Sequence, residues 1–252
     1  MERIGTLSAI RRYPVKSMAG EDLGQARVTY AGLAGDRVYA FIDNQNQSDF
    51  PWMTGRQGRE MILFRPRFLT APAAEDGQPN PERYAIEVTT PEGEKFRVND
   101  PKFTQYLEKR FGRSLRLRFS ERSMTDACPV SVLSHGTVRA LGEEVGMALD
   151  PRRFRANFYV RWENDRPFFE DEFVGKELQV GQTVGFQVVM KDSRCAMITL
   201  DPETAQPAKQ VLETVSRKHG GCTGVYGAVL REGIVRVSDP VYAMELGNRD
   251  RK

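Results

Sequence analysis

Cys195 sits in the tripeptide Ser193-Arg194-Cys195, between two apolar runs, Val184 to Met190 and Ala196 to Leu200. A cysteine is ordinarily a small core residue. An adjacent arginine favours the thiolate, which is the form that attacks electrophiles and binds soft metals. The flank Asp201-Pro202-Glu203-Thr204 reads as a turn, which puts the thiol near a strand end. A second feature, Tyr13-Pro14-Val15-Lys16-Ser17, places an ammonium and a hydroxyl side by side after a proline, suited to a phosphate oxygen. Three further turns carry arginines, the residue best shaped for bidentate anion contacts: Gly35-Asp36-Arg37, Thr54-Gly55-Arg56-Gln57 and Arg152-Arg153-Phe154-Arg155-Ala156-Asn157. Each of these alone reads as solvated surface. It is their combination with Cys195 that suggests a site for an anionic, thiolate-bound group.

Other chemistries find less support. Cys128, Cys195 and Cys222 are odd in number and lack a CxxC pair, so neither a disulfide framework nor a zinc ribbon or iron–sulfur site is expected. His135 reads as a helix-start residue, and His219, before Gly220-Gly221, as a cation at a helix C-terminus. Ser131 and Ser134 lack a GxSxG context. Glu170-Asp171-Glu172 reads as a solvated acidic turn rather than a cation site. No GxGxxG or GxxxxGK[ST] run supports a nucleotide fold.

The elements expected to position these residues are mostly strands. Ile4–Ile10, Ala26–Tyr30, Val38–Ile42, Tyr84–Val88 and Leu115–Phe119 supply the first half; Asn157–Arg161, Glu177–Val180, Val184–Met190 and Ala196–Leu200 supply the second. Val225–Leu230 and Ile234–Val237 read as a hairpin across Arg231-Glu232-Gly233. Helical spacing marks Phe103–Phe111, a segment beginning at Ser134 as N-cap, and Ala208–Lys218. The proline-rich stretch from Ala71 to Arg83 breaks both periodicities and reads as an exposed loop. Many short strands with few helices predict a mainly β (α+β) fold of barrel or sandwich type. The expected organisation is a β-rich region over 1–122, a β-barrel domain over 123–246 and a polar tail over 247–252.

The 37 Lys and Arg against 34 Asp and Glu leave a net charge of +3, too small to indicate nucleic-acid binding. No apolar run reaches the length of a membrane span and no signal-peptide core follows Met1, so a cytoplasmic protein without membrane association is expected.

Taken in order, Tyr13-Pro14-Val15-Lys16-Ser17, Gly35-Asp36-Arg37, Thr54-Gly55-Arg56-Gln57, Phe154-Arg155-Ala156-Asn157, Ser193-Arg194-Cys195 with Asp201-Pro202-Glu203-Thr204, Gly224-Val225-Tyr226 and Asp239-Pro240-Val241-Tyr242 resemble the MOSC-domain family with its N-terminal β-barrel region. That resemblance implies a MOSC-type β-barrel core and a molybdenum cofactor (Mo-molybdopterin), with Cys195 as the metal's protein thiolate and catalytic ligand. It places Lys16, Ser17, Arg37, Arg56, Arg155, Asn157, Ser193, Arg194 and Tyr226 around the cofactor, and Cys128 and Pro129 nearby. The implied reaction is oxygen-atom removal from N-hydroxylated or N-oxide small molecules. Since the chain shows neither the ferredoxin domain nor the membrane anchor of some relatives, a separate ferredoxin- or flavin-type electron donor is expected. Alternatives within the resemblance are a carrier of the cofactor, or of sulfur as a Cys195 persulfide; a pyridoxal-phosphate-type anion module using Lys16 and a nucleic-acid role are weaker.

Overall fold

The computed structural model describes residues 2–70 and 84–244; the predicted loop 71–83 and the tail 247–252 lie outside the described residues. In chain order the strands are β1 (Glu2–Arg12), β2 (Glu21–Leu23), β3 (Gln25–Thr29), β4 (Gly32–Leu33), β5 (Tyr39–Asp43), β6 (Arg65–Phe68), β7 (Ile86–Thr89), β8 (Lys95–Arg97) and β9 (Leu115–Phe119). The second half adds β10 (Val130–Ser134), β11 (Phe158–Trp162), β12 (Glu177–Val180), β13 (Val184–Ser193), β14 (Cys222–Arg231), β15 (Gly233–Arg236) and β16 (Pro240–Met244). The helices are α1 (Pro101–Phe111), α2 (His135–Val145) and α3 (Lys209–Lys218).

One sheet runs β11-β10-β14-β13-β12-β16-β1, and β1 also pairs with β11, so seven strands close into a barrel, with β2 added at the end of β1. The fold is therefore mainly β with a barrel core, as the sequence predicts. Alternation builds it: Leu178 and Val180 of β12 point inward while Glu177 and Gln179 do not. β1 pairs with β16 through Glu2, Arg3, Gly5 and Thr6 and with β11 from Gly5 to Ile10, with a bulge between Leu7 and Ala9 in the second pairing. The interior holds Leu7, Ile10, Val130, Val132, Phe158, Phe186, Val188 and Val225. β10 is buried on both faces, since Leu133 points outward into a second cluster with Val138 and Leu141 of α2 and Val211 and Val215 of α3. That double burial goes with its parallel pairing to β11.

A separate core lies under β5–β9, the β6-β7-β8 sheet and α1, built from Phe41, Phe64, Phe103 and Leu107 with Met53 and Met61. Asp100 caps α1 by accepting from Lys102 N at 2.9 Å, and Pro101 follows at the first helical position. Ser134 caps α2 by accepting from Thr137 N at 3.1 Å, as its position predicts.

Three expectations are corrected. Ala196–Thr199 is a 3-10 turn rather than a strand; Ile198 packs into the α2/α3 cluster and Arg153 takes the Thr199 carbonyl at 2.7 Å, which pulls the chain away from the sheet. Val225–Leu230 and Ile234–Val237 do not pair with each other. β14 is flanked by β10 and β13, so β15 crosses instead to β3, with Gly233 opposite Val28. Glu170 is not in a solvated turn: it is fully buried and accepts from Ser134 N at 3.1 Å and Trp162 Nε1 at 3.0 Å. Its neighbours Asp171 and Glu172 are the outward members, paired with Lys191 and Arg166.

Candidate functional site

β13 ends at Ser193, and Cys195, with extended backbone, opens the 3-10 turn that follows. The half-buried thiol stands on the wall of a cleft between the barrel and the N-terminal core. The cleft is also lined by Lys16 and Ser17 after β1, Arg37 before β5, Arg56 from the loop before β6, Arg155 before β11, and Ser193, Arg194 and Tyr226. Four separate turns of the first half and the barrel thus bring the sequence-nominated residues together.

The cleft is strongly cationic. Lys16 is 5% exposed; its ammonium donates to Met124 O at 2.8 Å and pairs with Asp126. Burial holds its pKa below the ordinary lysine value despite Asp126, and Arg37 and Arg155 add to the lowering. Arg37 pairs with fully buried Asp36 and donates to Arg155 O at 3.0 Å. Its guanidinium lies 4.7 Å from the Tyr13 ring centroid, and that of Arg155 lies 4.4 Å from the same ring. Burial pushes Arg155 down to about 10, and its buried Nη2 has no hydrogen-bond partner among the described residues. A buried guanidinium N–H left unpaired costs free energy unless an incoming acceptor satisfies it. The half-exposed Asp126 carboxylate already sits on Lys16 as an incoming anion would; partial desolvation raises its pKa, but Lys16, Arg37 and Arg56 outweigh this and hold it below the usual value.

Backbone strain gathers here too. Ser17, Arg37 and Arg155 have positive φ angles of 66°, 48° and 55°, a conformation non-glycine residues adopt only when the surroundings enforce it. Gly224 provides the room: with φ of +77°, a Cβ there would stand 2.7 Å from Val132 O and 3.2 Å from the Arg194 guanidinium.

Arg194 is a strut rather than a free cation. It donates from Nε to Thr223 O at 2.7 Å and from Nη1 to Phe154 O at 2.8 Å, and pairs with Asp192 at 2.9 Å. Sequence reasoning missed Asp192, which also lines the cleft. It is 2% exposed and hydrogen-bonded to Tyr226, and burial, only partly offset by Arg194 and Arg37, pushes its carboxyl up to about 6. The same burial, reinforced by Asp192, raises the Tyr226 phenol. The only signal for Asp192 in the sequence is an acid immediately before the tripeptide, near the end of a strand-like run. Asp126 and Arg153 were missed as well; Arg153, 4% exposed, ties the 3-10 turn to Asp201 at 2.8 Å.

Three nominated residues do not line the cleft. Asn157 is buried and accepts from Ser131 N and Oγ, both at 3.2 Å, so it positions a lining residue rather than being one. Pro129 packs its carbonyl against Gly32, on the β3–β4 side. Cys128 precedes it, with its thiol pushed up by burial, a poor setting for a thiolate.

About 80 Å³ of free space remains inside the cleft, whose wall includes the Lys16–Asp126 pair and Arg56. No group of three or more His, Cys, Asp or Glu side chains gathers among the described residues, so a metal here would need most of its ligands from elsewhere. No helix among them is long and apolar enough to cross a membrane.

Comparison with known proteins agrees with this architecture. The chain is 24% identical to human "Mitochondrial amidoxime reducing component 2" over 97% of its own length and 85% of that protein's. It is 26% identical to "Molybdenum cofactor sulfurase" of Drosophila grimshawi over 83% of this chain, which spans 30% of that longer protein. The crystal structure of the YuaD protein from Bacillus subtilis superposes with a TM-score of 0.51 at 12% identity, covering 96% of this chain and 97% of that one, a likeness of fold. Family models for the "MOSC N-terminal beta barrel domain" and the "MOSC domain" match residues 4–128 and 120–242, and the chain belongs to the MOSC-domain family.

Proposed function

We propose that the protein binds the molybdenum cofactor through Cys195 and reduces N-hydroxylated or N-oxide small molecules, with electrons delivered by a separate redox protein. The observation that carries the reading is the pairing of a half-buried thiol with a buried cationic cleft containing an unsatisfied guanidinium N–H and three strained backbone positions. The similarity to amidoxime-reducing components directs the choice of reaction.

The residues fit the group. Lys16, Ser17, Arg37, Arg56 and Arg155 would hold the pterin phosphate, with the Asp126 carboxylate giving up its place on Lys16. Cys195 would supply the one protein thiolate, in keeping with the absence of any larger ligand cluster among the described residues. When bound, the cofactor supplies two-electron oxygen-atom acceptance, which no side chain offers. The balance is one N–O bond broken, two electrons and two protons consumed, and one water released. Asp192, its carboxyl pushed up to about 6 and hydrogen-bonded to Tyr226, is poised to take up a proton on the cleft wall and relay it to the departing oxygen through the phenol. Arg194, fixed by the Thr223 and Phe154 carbonyls, keeps that carboxylate in place.

The test is reduction of a benzamidoxime by protein produced in a host that makes the cofactor, with a chemical reductant replacing the donor protein. Turnover in the wild type, its loss in Cys195→Ser and a reduced rate in Tyr226→Phe are expected. Equal turnover in Cys195→Ser would overturn the proposal. The similarity to a molybdenum cofactor sulfurase favours a second reading, a sulfur carrier with a Cys195 persulfide. A labile mass increment of one sulfur, without turnover, would establish it instead.

A further inference from the structure

A second cavity lies against the same turn. It is an open groove of about 1,040 Å³ between α3 and the loop that carries Arg56. Ala196, next in sequence to Cys195, forms its floor with Leu200 and Pro207. One wall is the outer face of α3, where Lys209, Leu212, Glu213, Ser216 and Arg217 recur at helical spacing, while Val211, Thr214 and Val215 face the core. The opposite wall is Gly55, Arg56 and Arg59. Gly55 is buried, and a Cβ there would stand 2.6 Å from Met197 Sδ and 3.0 Å from Leu200 Cδ1, so this wall closes tightly on the turn after Cys195.

The rim of the groove carries four cations and one acid. Arg56, Arg59, Lys209 and Arg217 are all exposed, and none joins an ion pair among the described residues, while Glu213 is the one acid facing them. An apolar floor under a rim where cations outnumber acids complements a molecule with a hydrocarbon body and an anionic group. Arg56 lines both cavities and links the groove to the cleft beside Cys195.

We propose that this groove binds amphipathic organic carboxylates, and that it seats the body of the substrate while the N-hydroxylated end reaches Cys195. The second half rests on the reductase reading; the first does not, and is measured without it. Titration calorimetry of decanoate into Cys195→Ser protein should show saturable binding, with decyltrimethylammonium at least about ten-fold weaker because the rim repels it. Charge reversal in the exposed pair Lys209→Glu/Arg217→Glu should weaken decanoate about ten-fold. Leu212→Asp should weaken both probes. In cofactor-loaded wild type, decanoate should compete with benzamidoxime. Equal affinity for the two probes, an unchanged double variant, or binding of polyglutamate without decanoate, which would mark an acidic protein surface as the occupant, would each overturn the assignment. Non-competitive behaviour would overturn the placement of the substrate body.

Discussion

Replacing Asp192 by asparagine should make the variant gain stability relative to wild type as the pH rises from 4 to 7.5. Asp192 is 2% exposed, and its carboxyl moves from an ordinary 3.8 up to about 6. Burial is the largest cause, and Arg194, Arg37 and Tyr226 recover only part of its cost. A carboxyl with a raised pKa in the folded state binds its proton more tightly there than in the unfolded chain. The ionised group therefore costs the fold free energy above pH 6, and that cost fades as pH falls through 6 toward 4. A displacement of about two pH units corresponds to about 3 kcal/mol. Asparagine keeps the shape and one acceptor but cannot ionise. Urea unfolding of both proteins at pH 4 and pH 7.5 isolates the effect, because all other titrating groups are shared. The stability of the variant relative to wild type should rise by about 2.5 kcal/mol between the two conditions. A flat difference, or one that falls with pH, would refute the assignment of Asp192 as a desolvated acid and with it the proton source in the proposed reaction.

Other expectations follow from single contacts. Glu170→Ala leaves the Trp162 indole N–H and the Ser134 N–H buried without an acceptor and should cost about 2–5 kcal/mol in denaturant unfolding, while Glu170→Gln should cost less than half of that. Gly224→Ala combines a φ of +77° with a Cβ 2.7 Å from Val132 O, and a loss of about 2–4 kcal/mol is expected by the same measurement. Arg155→Met removes a desolvated cation whose Nη2 is unpaired; melting temperature should hold or rise, while pterin retained on purification falls.

The barrel was legible in the sequence because its strands carry the alternation that physics ties to half-buried strands, as β12 shows. The caps at Asp100 and Ser134 obeyed local rules, and only the latter was named beforehand. What failed depended on distant partners. The apolar run Ala196–Leu200 turns into a 3-10 segment because Arg153, more than forty residues earlier, holds its carbonyl, and β15 leaves β14 because β10 and β13 have taken its neighbours' places. The cationic half of the site was visible as basic turns. Asp126 and Asp192 were not, since an acid reads as surface until burial and a specific counter-charge are known. Asn157 was nominated for the cleft and proved to brace Ser131 behind it.

In the proposed function the sulfur of Cys195 holds the metal. Protein purified from a cofactor-making host should contain about one molybdenum and one pterin per chain, and Cys195→Ser, folded with an unchanged circular dichroism spectrum, should retain little of the metal. Full molybdenum content in that variant would contradict the account.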